Sequence, residues 1–301
     1  MVVDVGLKSA DAQNLLHRRL ARQIDANALA WLNDKRERIV QGVPDHDFFA
    51  AFSAAPRHLG KQILRAAPED AKAPIAERTG WDFWSVDQAG RTLLLLSLKR
   101  DDAEAFIVKL RKLVSSADLG ELVALYQSLP LLPHAERLVD LAAEGARSNM
   151  TALFNAVALR NAYPAEYFDE GGWNQLVLKA LFVGSPLHLV HGLDRRANPK
   201  LARMLVDYAH ERWAAKRPVS PELWRPVGPY ADDDIVVDLE KVLVDPDPNQ
   251  QSAAALALSQ STSQRAMEAL AARADLRAAI AERRLTWDAL TRRQLAARQT
   301  E

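Results

Sequence analysis

Helix-start signals recur along this chain at a nearly constant interval, and that cadence limits the folds open to it more than any other feature. Ser85 stands three residues before Gln88, Asp101 before Glu104, and Asp118 before Glu121. At that spacing a short oxygen-bearing side chain accepts from the first free backbone N–H groups, while the Glu or Gln reaches back to the cap. With Pro68–Glu69 ahead of them, the starts lie 17, 16 and 17 residues apart, and Pro133 follows 15 later. Such intervals accommodate helices of roughly 11–14 residues with short connections. Two of them make a unit of about 33 residues, the scale of helical-repeat proteins. Period-two alternation over a strand's length is absent; Ile235-Val236-Val237, the most strand-like run, sits inside a helical pattern.

The chain is therefore predicted to be all-α: antiparallel helix pairs stacked as a short HEAT/TPR-like superhelix. No residue pattern repeats from unit to unit, so an irregular helical bundle is the alternative. Residues 10–41 carry Leu16, Leu20, Ile24, Ala28, Trp31 and Ile39 as one apolar stripe. Asn198-Pro199, Ser220-Pro221 and Asp247-Pro248 each set a capping residue before a proline at the first helical position, where its missing N–H costs nothing. The Ala/Leu-rich segment that follows Asp247 predicts a helix packed closely through small residues. Residues 273–301, anchored by Leu276, Ile280, Leu285, Trp287 and Leu290, read as a terminal capping pair. The Pro/Gly/Asp-rich stretch 226–234 is the best boundary signal. It divides the chain into a helical-repeat domain, 1–228, and a C-terminal HEAT-like cap, 229–301, packed on the first.

A chain of 301 residues can bury a substantial core, and length alone leaves one elongated domain or two compact ones open. Lys plus Arg equals Asp plus Glu at 39 each, which provides no global basic field to hold nucleic acid. With no cysteine, disulfides, thiolate metal sites and thiol nucleophiles are excluded together. The first residues lack a basic segment followed by an apolar run, and the longest apolar stretches fall far short of a membrane span. The cytoplasm is the predicted location.

The character of the sequence changes between Asn161 and Trp213, where aromatic and polar residues crowd together. The blocks NAYPAEYFDE (161–170), WNQLVLKALF (173–182), GLDRRANP (192–199) and DYAHERWA (207–214) resemble the core signature of the EboA-domain family. LPLLP and AAEGARSN, upstream, extend the likeness to roughly residues 15–227. This resemblance implies a setting: bacterial and algal gene sets that make or export a specialised metabolite. Such sets include a prenyltransferase-like membrane protein and metal-dependent or sugar-phosphate-type enzymes. It carries over no active-site residue.

Read from the residues themselves, the helix from Trp173 to Val183 is apolar on nearly every side, which predicts burial, yet it holds Asn174, Gln175 and Lys179. A buried ammonium needs a partner, and Glu170, Asp194 and Asp207 are available; Lys179 is either a structural ion pair or a ligand contact. On the next helix Arg203, Asp207, His210 and Glu211 lie at three-to-four spacing. They form an exposed charge row unless another helix covers them, in which case they become a polar network beside Tyr208 and Trp213. His188 and His191, with His210 and Asp207, supply ligands of the metal-binding type, but no metal spacing such as HExxH is present, and capping or surface roles are the simpler reading. Asp232-Asp233-Asp234 with Asp238 lacks the DDxxD spacing and fits acids at a helix start. Asp194-Arg195-Arg196 either grips an anion or ties a loop to the next helix. No nucleotide-binding glycine loop exists, and neither cofactor nor metal is assigned.

Together these readings describe a non-catalytic binding or scaffold protein of a specialised-metabolite pathway. Its ligand surface is predicted to use Tyr163, Tyr167, Trp173, Asn174, Lys179, Asp194, Arg195, Asp207 and His210. Its expected partners are a small hydrophobic or aromatic metabolite, such as a prenylated precursor, and other pathway proteins, one of them membrane-bound. The alternative is an enzyme using Lys179, Asp207 and His210 as acid–base groups.

Overall fold

A computed structural model describes residues 5–65 and 78–298, and among them every regular element is helical. The Pro68–Glu69 start lies outside the described residues. Among the described residues extended pairing is limited to one isolated antiparallel bridge, Ile63 with Ser85. Among the described residues no helix is long and apolar enough to cross a membrane. Backbone proximity divides the chain into two units, Met1–Gly172 and Trp173–Glu301.

The first unit contains α1 (Val5–Ala21), α2 (Ala26–Gln41), α3 (Asp45–Leu59), α4 (Val86–Leu96), α5 (Ala103–Ser116), α6 (Leu119–Ser128), α7 (Val139–Arg147), α8 (Thr151–Ala158) and the short α9 (Tyr163–Tyr167). The stripe predicted over residues 10–41 is cut in two. Asp25 caps α2, its carboxylate accepting from the Ala28 N–H at 2.8 Å, so one apolar face is shared by two helices. Reciprocal capping boxes open α4 at Ser85/Gln88 and α6 at Asp118/Glu121. The start of α5 moves by one residue. Asp102, not Asp101, is the cap and accepts from the Ala105 N–H at 3.0 Å, while Glu104 turns to Arg137. Pro133 opens no α-helix either; two 3-10 turns, Leu129–Leu131 and Ala135–Arg137, precede α7.

One line of stacked helices runs through the unit: α3 on α4, α4 on α6, α6 on α8. The last three begin at Val86, Leu119 and Thr151, 33 and 32 residues apart, which is the cadence of the start signals. A strictly linear array would join only neighbours. Here α1 and α2 also pack on α4, so ten of its eleven residues are buried. Its polar residues survive burial because each finds a partner. Arg91 donates to Asp87 and to the Phe52 carbonyl, both at 2.9 Å, and Thr92 shares a 2.8 Å hydrogen bond with Ser128.

The helix α10 (Glu170–Phe182) begins at the end of the first unit and runs into the second. There follow α11 (Pro199–Ala214), α12 (Asp233–Leu243), α13 (Pro248–Leu258), α14 (Gln264–Ala271), α15 (Ala274–Ala281) and α16 (Trp287–Arg298). The strand-like Ile235-Val236-Val237 is helical, within α12. Asn198 and Asp247 cap α11 and α13 as their prolines predict. Ser220-Pro221 opens only a 3-10 turn, Pro221–Trp224; Pro226 and Pro229 lack the N–H donors that would prolong it.

The centre of this unit is α13, buried continuously from Ser252 to Leu258. Four alanines in that run keep its surface thin, so α12, α14, α15, α16 and the turn Pro221–Trp224 all reach it. Gly228 packs so closely that a Cβ there would stand 2.8 Å from the Ala257 backbone. Of the predicted terminal anchors, Leu285 and Leu290 are buried, whereas α15 buries nothing completely.

Candidate functional site

Two clefts in the second unit flank the extended segment Pro218–Val219. The first, about 410 Å³, lies among the ends of α10 and α11, the turn Pro221–Trp224 and α16. The second, about 610 Å³, is walled by Trp213, Lys216, Arg217 and Lys241. Pro218, Val219, Asp247 and Gln250 line both. The partition is pinned from either side: Arg212 donates twice to the Pro218 carbonyl, at 3.0 and 2.9 Å, and Gln250 donates to the Val219 carbonyl at 2.6 Å.

Each cleft has a histidine–carboxylate pair at or beside it. In the first, Glu222 is almost fully buried and accepts both from the Leu187 N–H, at 2.7 Å, and from His188 Nδ1. This fixes the His188 ring and leaves its Nε2 as the acceptor of the neutral tautomer. Tyr208 and Arg212 add polar groups to the wall, and Leu181 and Leu295 add an apolar edge. Beside the second, Asp238 is buried and accepts from His210 Nε2 at 2.6 Å and from Lys241 Nζ at 2.9 Å. The His210 ring lies 5.6 Å from Trp213, which in turn stacks on the buried Trp224 at 6.0 Å.

The predicted site residues fall into separate places. None of the nine lines either cleft. Asn174 is buried and exchanges side-chain hydrogen bonds with Asn198, at 2.8 and 3.2 Å; Asn198 also caps α11. Trp173 is buried with the Arg196 guanidinium over its ring at 5.1 Å. Asp194 holds Arg225 through two 2.7 Å hydrogen bonds, tying its loop to the turn at Pro221–Trp224, while Arg195 is exposed. In the first unit, Tyr163 donates its hydroxyl to the Ala135 carbonyl and stacks on Tyr167 at 4.7 Å.

The expectation that α10, apolar on nearly every side, is buried is corrected along one stripe. Gln175, Lys179 and Phe182 lie at i, i+4 and i+7, and this stripe is the open one: Gln175 is exposed, Lys179 half-buried and Phe182 77% exposed. Partial burial still holds the Lys179 ammonium below its usual pKa. Asp207 is exposed, as in the charge-row reading, and His210 is tied to Asp238 rather than to Asp207. His188 and His210 bind different carboxylates, and among the described residues no group of three His, Cys, Asp or Glu is gathered as a metal set.

Two carboxylates have roles that the sequence pattern does not assign them. Asp238 is three residues after Ile235 and four before Val242, so the α12 apolar stripe itself contains a carboxylate. The Asp232–Asp234 run beside it makes the same carboxylate read as part of a helix-start cluster. Glu222 gives no such sign, because a four-residue turn has no periodicity against which to judge it.

Residues 12–228 match the family model described as metabolite traffic protein EboA. No curated protein and no solved structure matches the chain.

Proposed function

The chain belongs to the EboA family, and from that premise we propose that it holds a pathway intermediate without transforming it, in the cleft beside His188. The observation that carries this is the make-up of that cleft. At about 410 Å³ it suits a small organic molecule, and it combines an apolar edge at Leu181 and Leu295 with Tyr208, Arg212 and the His188–Glu222 pair. A few fixed polar groups within a partly apolar wall orient a ligand of prenylated or aromatic type. The Glu222 carboxylate, already bonded to Leu187 and His188, serves to hold the imidazole in place. Lys179, Arg195 and Asp207 remain proposed contacts to ligand or partner, since their side chains reach the surface wholly or in part. The exposed Phe182 next to Leu181 suits contact with another pathway protein, including a membrane-bound one.

The test is native mass spectrometry of the protein recovered from cells that make the metabolite. Wild-type protein is expected to carry a small molecule, and Leu295→Trp, at a position 42% exposed where the fold tolerates bulk, is expected to be empty. Empty wild-type protein, or equal loading of the two, refutes the reading.

A catalytic alternative rests on His210, whose buried Asp238 partner orients it as a general base is oriented. It requires turnover of an intermediate by the wild-type protein that His210→Ala abolishes.

A further inference from the structure

The first unit has a cleft of about 580 Å³ between the C-terminal half of α2, the end of α4 and the residues that follow α4. Arg36, on α2, lines it together with Ser97, Lys99 and Arg100. We propose that this cleft is an oxyanion site, in which the Arg36 guanidinium receives the carboxylate or phosphate group of a small molecule.

The state of Arg36 carries the inference. Its guanidinium offers five N–H donors. Among the described residues it makes one hydrogen bond, a long one of 3.4 Å from Nε to the Ser97 hydroxyl, and no ion pair. The basic residues on either side of it are served differently: Lys35 and Arg38 both reach Asp34, at 3.0 and 4.0 Å. Arg36 is nevertheless half-buried, and burial pulls its pKa below the usual guanidinium value despite the charge of neighbouring Glu37. A guanidinium placed for structure has the environment of Arg91, which is buried and bonded to both a carboxylate and a carbonyl. Arg36 bears a desolvation cost too, and among the described residues the paired N–H groups of its fork have no protein acceptor.

The surroundings extend the same chemistry. Lys99 and Arg100 are exposed on the cleft and form no ion pair with any described residue. Asn33 engages His17 through Oδ1 at 2.8 Å, which leaves its amide N–H donors for the cleft. Glu37 and Asp101 also line it, and both are exposed. The desolvated charge is therefore the positive one. A planar fork with two exposed cations near it matches a bidentate oxyanion better than a neutral ligand. A carboxylate and a phosphate share this geometry.

Calorimetric titration of the full chain, desalted beforehand, with inorganic phosphate and separately with benzoate distinguishes the two sources. At least one is expected to bind, and Arg36→Gln is expected to weaken it roughly tenfold or more, the loss of a charge-assisted pair of hydrogen bonds. Arg36→Lys, which keeps the charge but not the fork, is expected to fall between. If Arg36→Gln fails to fold, Lys99→Ala at an exposed position is expected to weaken binding, and the Arg36 Nε–H resonance of the wild-type protein is expected to shift as the anion is added. Absence of binding by either anion overturns the proposal. So does unchanged affinity in folded Arg36→Gln, or binding that leaves the Arg36 resonance unmoved.

Discussion

Single side chains in the Asn161–Trp213 segment show how burial assigns work to polar groups. Asn174 is 1% exposed, and its amide reaches across to Asn198, whose own Oδ1 caps α11 by accepting from the Leu201 N–H at 2.8 Å. The pair couples the start of one helix to the side of another, so the cap is rigid where an isolated one would rotate. Asn174→Ala removes one partner and leaves the Asn198 amide short of an acceptor. The expected cost is about 1–3 kcal/mol, read as a lower midpoint in urea unfolding. A surface substitution such as Gln175→Ala, on the open stripe of the same helix, is the comparison and is expected to change little. The sequence showed that a polar residue lay in an apolar helix; which residue answered it could not be read, because Asn198 is 24 positions away and its selection depends on how two helices cross.

Elements in this protein are specified by their ends more firmly than by their faces. The capping boxes at Ser85 and Asp118 were legible because their chemistry is local, three residues long and satisfied within one turn. Where the predicted start was one residue off, at Asp101, the reason was a competitor: Glu104 found Arg137 through the tertiary fold, and Asp102 capped alone. The breadth of an apolar face was less legible. Phe182 counts as hydrophobic in composition yet belongs to the Gln175–Lys179 stripe. Packing of α13 gives this scale its sharpest prediction. Gly228 lies against the Ala257 backbone, and the Cβ of Gly228→Ala would be 2.8 Å from it. Backbone cannot swing aside as a side chain can, so the turn must retreat. A loss of about 1–3 kcal/mol is expected. It is measurable by thermal unfolding, and an unchanged midpoint would show that the turn shifts freely.

At the scale of the whole molecule, the response to pH follows from the buried phenols. Burial, aided by the Glu144 charge, pushes Tyr126 from its ordinary 10 up to about 12. Tyr163 moves in the same direction, chiefly through burial and then through neighbouring Tyr167. Folded protein therefore holds these protons more tightly than unfolded protein does, so their contribution is complete below pH 10 and is lost as pH rises toward 12. Urea midpoints are expected to fall across that interval, with tyrosinate absorbance from these two residues appearing only as the chain unfolds. Tyr126→Phe, which keeps the ring and cannot ionise, is expected to flatten part of the fall. The sequence by itself determined the helical class, the helix starts at Ser85, Asp118, Asn198 and Asp247, the Ala-rich character of α13 and the family signature. All of these reside in spacings of a few residues or in contiguous blocks. Tertiary structure alone decided which polar groups met: His188 with Glu222, His210 with Asp238, Asn174 with Asn198. Among the described residues it also left the half-buried Arg36 guanidinium without a carboxylate. The physical reason is distance along the chain. A cap is completed by residues one turn away, but a buried carboxylate or a desolvated guanidinium acquires its meaning only from segments that packing brings beside it.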